Sequence, residues 1–240
     1  MENLDNCVDS YKKTFLYEFD NDIMLNYYPK RIIERMNEGS LLELGLGHGY
    51  TIRQFIDQVG AYTILEGSQM VIDRFLKEES ELAVRLEIVK IYFENFNTEL
   101  KYDNIVMGFV LEHVDDPELI VSMYKNFLAP GGKLFISVPN SDSAHRRIGY
   151  YAGVLNDLKQ LSASDEALGH KRYYDLSMLE ELAERNNLKI VNVEGIFLKP
   201  FSTAQMQQLD LSKEMISGML TLGRDYPELS NAILMELELA

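Results

Sequence analysis

Three histidines, His113, His145 and His170, are the groups in this 240-residue chain best suited to moving a proton near neutral pH, since an unperturbed imidazole titrates there. His113 stands in Leu-Glu-His-Val (111–114) just past an apolar run and is the first candidate for a general base. The alternative for His113 is packing and hydrogen bonding that orients its loop. His145 and His170 each open a basic cluster, His145-Arg146-Arg147 and His170-Lys171-Arg172, the second followed by Tyr173 and Tyr174. Such density in an acidic chain points to a pocket for a carboxylate or phosphate, with Arg146, Arg147, Lys171, Arg172 and Tyr173 as substrate-binding candidates. The competing reading pairs each arginine with a nearby acid such as Asp142 or Asp175. A second kind of chemistry is written in Leu-Leu-Glu-Leu-Gly-Leu-Gly-His-Gly-Tyr-Thr (41–51), where Gly45, Gly47 and Gly49 follow an apolar run. Glycines at such a turn let the chain reverse and let a ligand lie against the main chain, and a nucleotide-like cofactor is the natural occupant.

Placing these groups requires strands alternating with helices. Apolar runs before Gly45, from Ala61 to Leu65, Leu86 to Phe93, Tyr102 to Phe109 and Lys133 to Val138 read as strands, and helix-spaced segments lie between them, the pattern of a doubly wound α/β sheet. Pro117 opens one such helix, and Ala-Pro-Gly-Gly (129–132) is a strong turn signal. Ser68 can cap another that runs to about Glu78. Ahead of the glycines, apolar residues from Ile23 to Met36 recur at helical spacing and are interrupted at Pro29, which predicts two helices. Leu188 to Phe197 is the sixth strand. The last run, Ala232 to Leu239, alternates acids with apolar residues and reads as a strand whose acidic edge resists pairing with other chains.

Glu43-x-Gly45-x-Gly47-x-Gly49 resembles motif I of the class I S-adenosylmethionine-dependent methyltransferases. Dinucleotide folds instead place the third glycine one step later. Leu-Glu-His-Val is similar to motif IV and its continuation in the small-molecule branch that includes the ubiquinone O-methyltransferases. The resemblance is strong over roughly residues 40–140 and topological beyond. It implies a seven-stranded Rossmann-like sheet of order 3-2-1-4-5-7-6 with the last strand antiparallel, in one domain spanning 1–240. Residues 1–39 would form a helical cap, and insertions at 140–175 and 199–231 would shape the substrate pocket, the alternative for the latter being to face a neighbouring subunit in a homodimer. The implied cofactor is S-adenosylmethionine, leaving as S-adenosylhomocysteine. Glu43, Gly45, Leu46, Gly47 and Gly49 would cradle it, Glu66 would take its ribose hydroxyls, and Gly67, Ser68 and Met70 would edge the adenosine. Gly108 and Phe109 would line the methionyl part, with Tyr17 or Arg31 reaching it from the leading helices. Tyr92 stands where the family usually has Asp, so adenine recognition is expected from main chain near Phe93 and Glu94.

Composition narrows the rest. A formal charge of −15 disfavours nucleic acid as the substrate, because phosphate binding depends on clustered Lys and Arg. The 46% hydrophobic content is ample for a core, and the single Cys7 rules out an intrachain disulfide and fits a reducing cytoplasm. No signal-like or membrane-spanning run is present. No metal is expected, a site shared by Glu112, His113, His145 and His170 being the weak alternative. The expected activity is methyl transfer, favoured on oxygen, to a polar and anionic small molecule such as a sugar derivative, a nucleotide sugar or a quinone precursor. The competing readings are a non-catalytic or regulatory cofactor-binding protein, a nicotinamide oxidoreductase, and methylation of protein or RNA.

Overall fold

Strands covered by helices on both faces bury both faces, so successive residues must be apolar rather than alternating with polar ones. The computed structural model describes residues 18–47 and 49–240, and Tyr17 and Cys7 lie outside them. β1 (Ser40–Leu44), β2 (Ala61–Glu66), β3 (Glu87–Lys90), β4 (Tyr102–Gly108), β5 (Leu128–Pro139), β6 (Leu188–Ile196) and β7 (Ala232–Leu239) form one seven-stranded sheet, ordered β3-β2-β1-β4-β5-β7-β6. β1 to β5 pair in parallel, and β7 runs antiparallel to both neighbours. The order and direction implied by the resemblance are those observed.

Alternate residues feed two cores. Leu42, Ile105, Leu134 and Ile136 pack on one face with Ile120 of α5 (Pro117–Tyr124) and Leu179 and Leu182 of α8 (Leu176–Arg185). Leu41, Val106 and Phe135 pack on the other with Tyr28 and Ile32 of α1 (Glu18–Ile33) and Val71 and Phe75 of α3 (Gln69–Glu78). Each such side chain, fully buried, contributes about 1.5–3 kcal/mol. α2 (Ile52–Phe55) and α4 (Ser80–Ala83) complete the first half. α6 (Ala144–Tyr151) and α7 (Ala163–Ala167) follow β5, while α9 (Thr203–Gln208) and α10 (Lys213–Asp225) connect β6 to β7.

Four local expectations change. Pro29 does not divide the leading segment: α1 is continuous through it. Proline withholds the N–H that would reach the Leu25 carbonyl, and the Gln54 side-chain amide donates to that carbonyl at 3.4 Å instead. Residues 129–132 do not end in a free turn. The β4–β5 register jumps from Tyr102↔Leu128 to Asn104↔Lys133, so they form a bulge inside β5. β7 is not an edge, because it sits between β5 and β6. Its acids are matched by cations: Glu238 lies opposite Lys133 and Lys189 across the two strands, and buried Glu236 accepts from Lys133 Nζ at 2.7 Å. Arg31 does not reach the site either, since its Nε donates to Glu194 of β6 at 2.9 Å. Among the described residues, no helix is long and apolar enough to cross a membrane.

Candidate active site

β1 delivers the chain into Gly45, Gly47 and Gly49, with φ of +86°, +51° and +72°, a left-handed region that costs a residue bearing Cβ about 1–2 kcal/mol. At the end of β2, Glu66 accepts the amide of Leu46 at 3.1 Å and that of Ser68 at 2.8 Å. One carboxylate thereby ties the glycine loop to the start of α3, where Ser68 Oγ caps Val71 N at 3.3 Å. Burial raises the Glu66 carboxyl, opposed by those amides. Glu43 is buried beneath the loop and accepts from the Tyr62 hydroxyl. Burial pushes it up to about 7, with hydrogen bonds from Tyr62 and Thr51 opposing.

β4 ends at Gly108, where an added Cβ would stand 2.3 Å from the Tyr28 hydroxyl oxygen. Tyr28 of α1 packs edge-on against Phe109, ring centroids 5.5 Å apart. Phe109 itself has φ +56°, a conformation that a bulky residue keeps only when its surroundings enforce it. Its amide donates to Ser137 O at 2.8 Å. A cavity of about 240 Å³ opens between the glycine loop, α1 and the ends of β4 and β5, at the switch point where β2–β1 and β4–β5 lead in opposite directions. Of the residues expected at a cofactor, Glu43, Gly45, Leu46, Gly47, Gly49, Gly108 and Phe109 line it. Glu66, Gly67, Ser68, Met70, Phe93 and Glu94 are not among its lining residues.

All three candidate histidines line the same cavity. His113 Nδ1 lies 3.3 Å from the Gly169 carbonyl, a contact in which only the nitrogen can donate. Burial, reinforced by the His170 and Lys171 charges, lowers His113 to about 4. His145 Nδ1 faces Ser143 Oγ at 3.2 Å, and burial, followed by Lys199 and Arg146, lowers it to about 3. A ring so hard to protonate is a weak general base at neutral pH. His170 Nδ1 lies 3.4 Å from Asp165 Oδ1, and its ring stands edge-on to His113 at 4.8 Å. Asp165 also accepts from Ser162 N at 2.7 Å and Tyr173 OH at 3.0 Å. Burial raises its carboxyl, but nearby His170 and the Ser162 hydrogen bonds outweigh burial and leave it at about 2. Glu112 is fully buried, and neither of its carboxylate oxygens has a hydrogen-bond partner among the described residues. Burial pushes it up to about 7, opposed by the charge of His170. Of the four residues weighed as a shared set, Glu112, His113 and His170 bring one donor atom each within 4.8 Å of the others, and His145 is not in that group.

The basic clusters are not an open anion pocket. Arg172 donates to the Val114 and Asp115 carbonyls at 2.7 and 3.1 Å, Lys171 N to the Glu112 carbonyl at 2.8 Å, and Tyr174 OH to the Leu111 carbonyl at 3.2 Å. Residues 171–174 therefore clamp the 111–115 turn. The Lys171 ammonium pairs with exposed Asp115, and Arg147 with Asp142 at 3.0 Å. Neither Arg147, Lys171 nor Arg172 lines the cavity, whereas Arg146 and Tyr173 do. Arg146 is committed too: its Nε donates to Leu158 O at 2.9 Å, and its guanidinium lies 4.1 Å over the Tyr173 ring.

Sequence reasoning missed Asp20, Lys199 and Thr203, a buried cluster joining α1 to the segment after β6. The Lys199 ammonium bonds Asp20 and reaches Thr203 Oγ1 at 2.8 Å, and Asp20 and Lys199 line the cavity. No local spacing signals a pair separated by most of the chain. Asp165 was hidden behind a helix-start signature, since Ser162 and Asp165 form a capping box.

A family model described as a methyltransferase domain matches residues 22–193. The chain is 24% identical over 188 residues to the ubiquinone biosynthesis O-methyltransferase of Rickettsia bellii, covering 73% of each protein. Its fold is similar to a crystal structure of an S-adenosylmethionine-dependent methyltransferase from Clostridium acetobutylicum, with TM-score 0.61, 12% identity and 98% of both chains covered. It is also similar to the glycopeptide N-methyltransferase MtfA complexed with S-adenosylmethionine, with TM-score 0.58, 14% identity and 90% and 87% of the two chains covered. A family match over most of the chain, on a sheet of this order with a glycine cradle at its switch point, makes this protein a member of the class I S-adenosylmethionine-dependent methyltransferases.

Proposed function

We propose that the protein transfers a methyl group from S-adenosylmethionine to a hydroxyl of a polar small molecule. The observation that carries this is one cavity that joins the glycine loop to Glu112, His113 and His170. The loop fits the donor: Gly47 and Gly49 have positive φ, and a Cβ built at Gly47 would meet nothing within 4 Å, so the main chain there is open to a ligand. When bound, the donor supplies a sulfonium-activated methyl. Gly108 and Phe109 face its methionyl part in this reading. Glu66 keeps a lone pair beyond the amides of Leu46, Gly67 and Ser68 that it already accepts, open to a ribose hydroxyl, and main chain near Phe93 and Glu94 borders the adenine. The protein's work is then to hold the acceptor oxygen in line, about 3 Å from the methyl carbon.

Among the described residues, the cavity's cations are already engaged, Arg146 with carbonyls and Tyr173, and Lys199 with Asp20. This supports a hydroxyl compound that is neutral where it reacts, sugar-like or phenolic, over a phosphate held by free arginines. Calorimetric titration with S-adenosylhomocysteine and, separately, NADH tests the donor class. Micromolar binding of the thioether and none of NADH is the expected result. A folded protein that ignores the thioether overturns the reading. Transfer of labelled methyl to a panel of sugars, nucleotide sugars and phenols then identifies the acceptor.

A further inference from the structure

A buried carboxylate with no hydrogen-bond partner needs a reason, because the fold gains nothing by hiding it. Glu112 is such a group. It is fully buried, both oxygens are unpartnered among the described residues, and it faces the cavity. Its neighbours are known from every side. Its own turn brings His113, whose Nδ1 is turned to the Gly169 carbonyl. The 170–174 segment brings His170, while Lys171 is drawn to Asp115 and Arg172 to main-chain carbonyls. α7 brings Asp165 within 3.4 Å of His170 Nδ1, α6 brings Arg146 over Tyr173, and α1 brings the Tyr28 hydroxyl.

Resting on the methyltransferase reading, we propose that Glu112 and His170, with Asp165 orienting the imidazole, share one proton site and together take the proton released when the acceptor hydroxyl is methylated. His113 has only a neutral carbonyl at Nδ1, so a proton taken at its other nitrogen would leave an imidazolium with no counter-charge at Nδ1. His170 has the Asp165 carboxylate 3.4 Å from Nδ1, a nitrogen with no hydrogen-bond partner among the described residues, and it brings one ring nitrogen within 4.8 Å of a Glu112 oxygen. That arrangement resembles the base-and-orienter pairs of nucleophile activation. In the step, the acceptor O–H gives its proton to the Glu112–His170 pair while its oxygen bonds the methyl carbon. The carbon–sulfur bond breaks, its electron pair stays on sulfur, and the products are a methyl ether, a neutral thioether and one proton on the pair. The proton passes to water as the products leave.

The first measurement needs no acceptor. Denaturant unfolding of Glu112→Gln, His170→Gln and the double variant, at pH 8 and with chelator present, gives a double-mutant cycle. A shared proton makes the double variant's unfolding constant differ at least tenfold from the product of the single effects, and agreement within twofold overturns the pair. The second measurement uses catechol and 4-nitrocatechol as acceptors, the latter already ionised in water near neutral pH. His170→Gln is expected to lower kcat for catechol by about 10²-fold or more, with little loss for 4-nitrocatechol and an unchanged Kd for S-adenosylhomocysteine. Equal losses for both phenols would mean a merely structural role and overturn the proposal. Asp165→Asn serves if His170→Gln does not fold, and should give the same contrast in weaker form. Failure of the wild type to bind the thioether would instead fell the donor assignment.

Discussion

At the scale of single residues, Gly108 shows why small size can matter more than backbone freedom. A methyl there would run into the Tyr28 hydroxyl at 2.3 Å, and Tyr28 is buried against Phe109. Gly108→Ala should therefore cost about 1–3 kcal/mol of stability from overpacking, and it should weaken S-adenosylhomocysteine binding by displacing Tyr28 and Phe109 at the cavity wall. Denaturant unfolding and calorimetry check the two halves. Glu112 offers a second test, with a sign that can be worked out. Its carboxyl is raised to about 7 from an ordinary 4.5, so the folded state binds its proton more tightly than the unfolded chain. That favours folding below the ordinary value and is lost as pH climbs toward 7. Glu112→Gln lacks the penalty, so its melting temperature should gain on the wild type between pH 5 and 8, by at most about 3 kcal/mol in stability. His113 and His145 work the other way. Both are lowered by burial, so the stability they hold above pH 6.5 drains away as pH falls toward their folded values. The glycines, His113 and His170 were legible because their chemistry is local. Asp20, Lys199 and Asp165 were not, since a buried charge pair is defined by its partner and the partners here lie on different elements.

At the scale of elements, the strands were legible because each is a dense apolar run, and their order followed from the resemblance. What the sequence concealed was how irregularities are absorbed. Pro29 reads as a helix break, yet α1 continues because Gln54 supplies a donor to the abandoned Leu25 carbonyl. Glu236 and Glu238 read as solvent-facing acids, yet cations in flanking strands let β7 lie inside the sheet. The basic run 171–172 reads as an anion site and is a clamp on the 111–115 turn. Arg172→Ala should free two main-chain carbonyls and cost about 1–3 kcal/mol. It should also raise hydrogen-exchange rates of amides in 111–115 more than those in β4, and uniform exchange across both segments would count against the clamp.

At the scale of the whole molecule, a chain of formal charge −15 encloses a cavity whose cations, among the described residues, are each paired or committed to carbonyls within the fold. Long-range attraction of an anionic ligand is accordingly small, and buried pairs are screened little by salt. The Kd for S-adenosylhomocysteine should change less than about threefold between 50 and 500 mM salt, measured by calorimetry. A steep salt dependence would show that an open cationic surface takes part. The two insertions meet at this cavity, residues 140–175 through His145, Arg146, Asp165 and His170 and the later one through Lys199. On the proposed function, acceptor choice would rest on these insertions and donor binding on the glycine loop.

The Arg172 clamp has a consequence for sequence change over time. It grips carbonyl oxygens, and every residue type offers the same carbonyl. As far as this grip is concerned, side chains at positions 114 and 115 are free to vary, while position 172 has no substitute that spans both oxygens. Drift in the turn and constancy in its fastener should go together, so the residue least tolerant of replacement here is one that does not line the cavity.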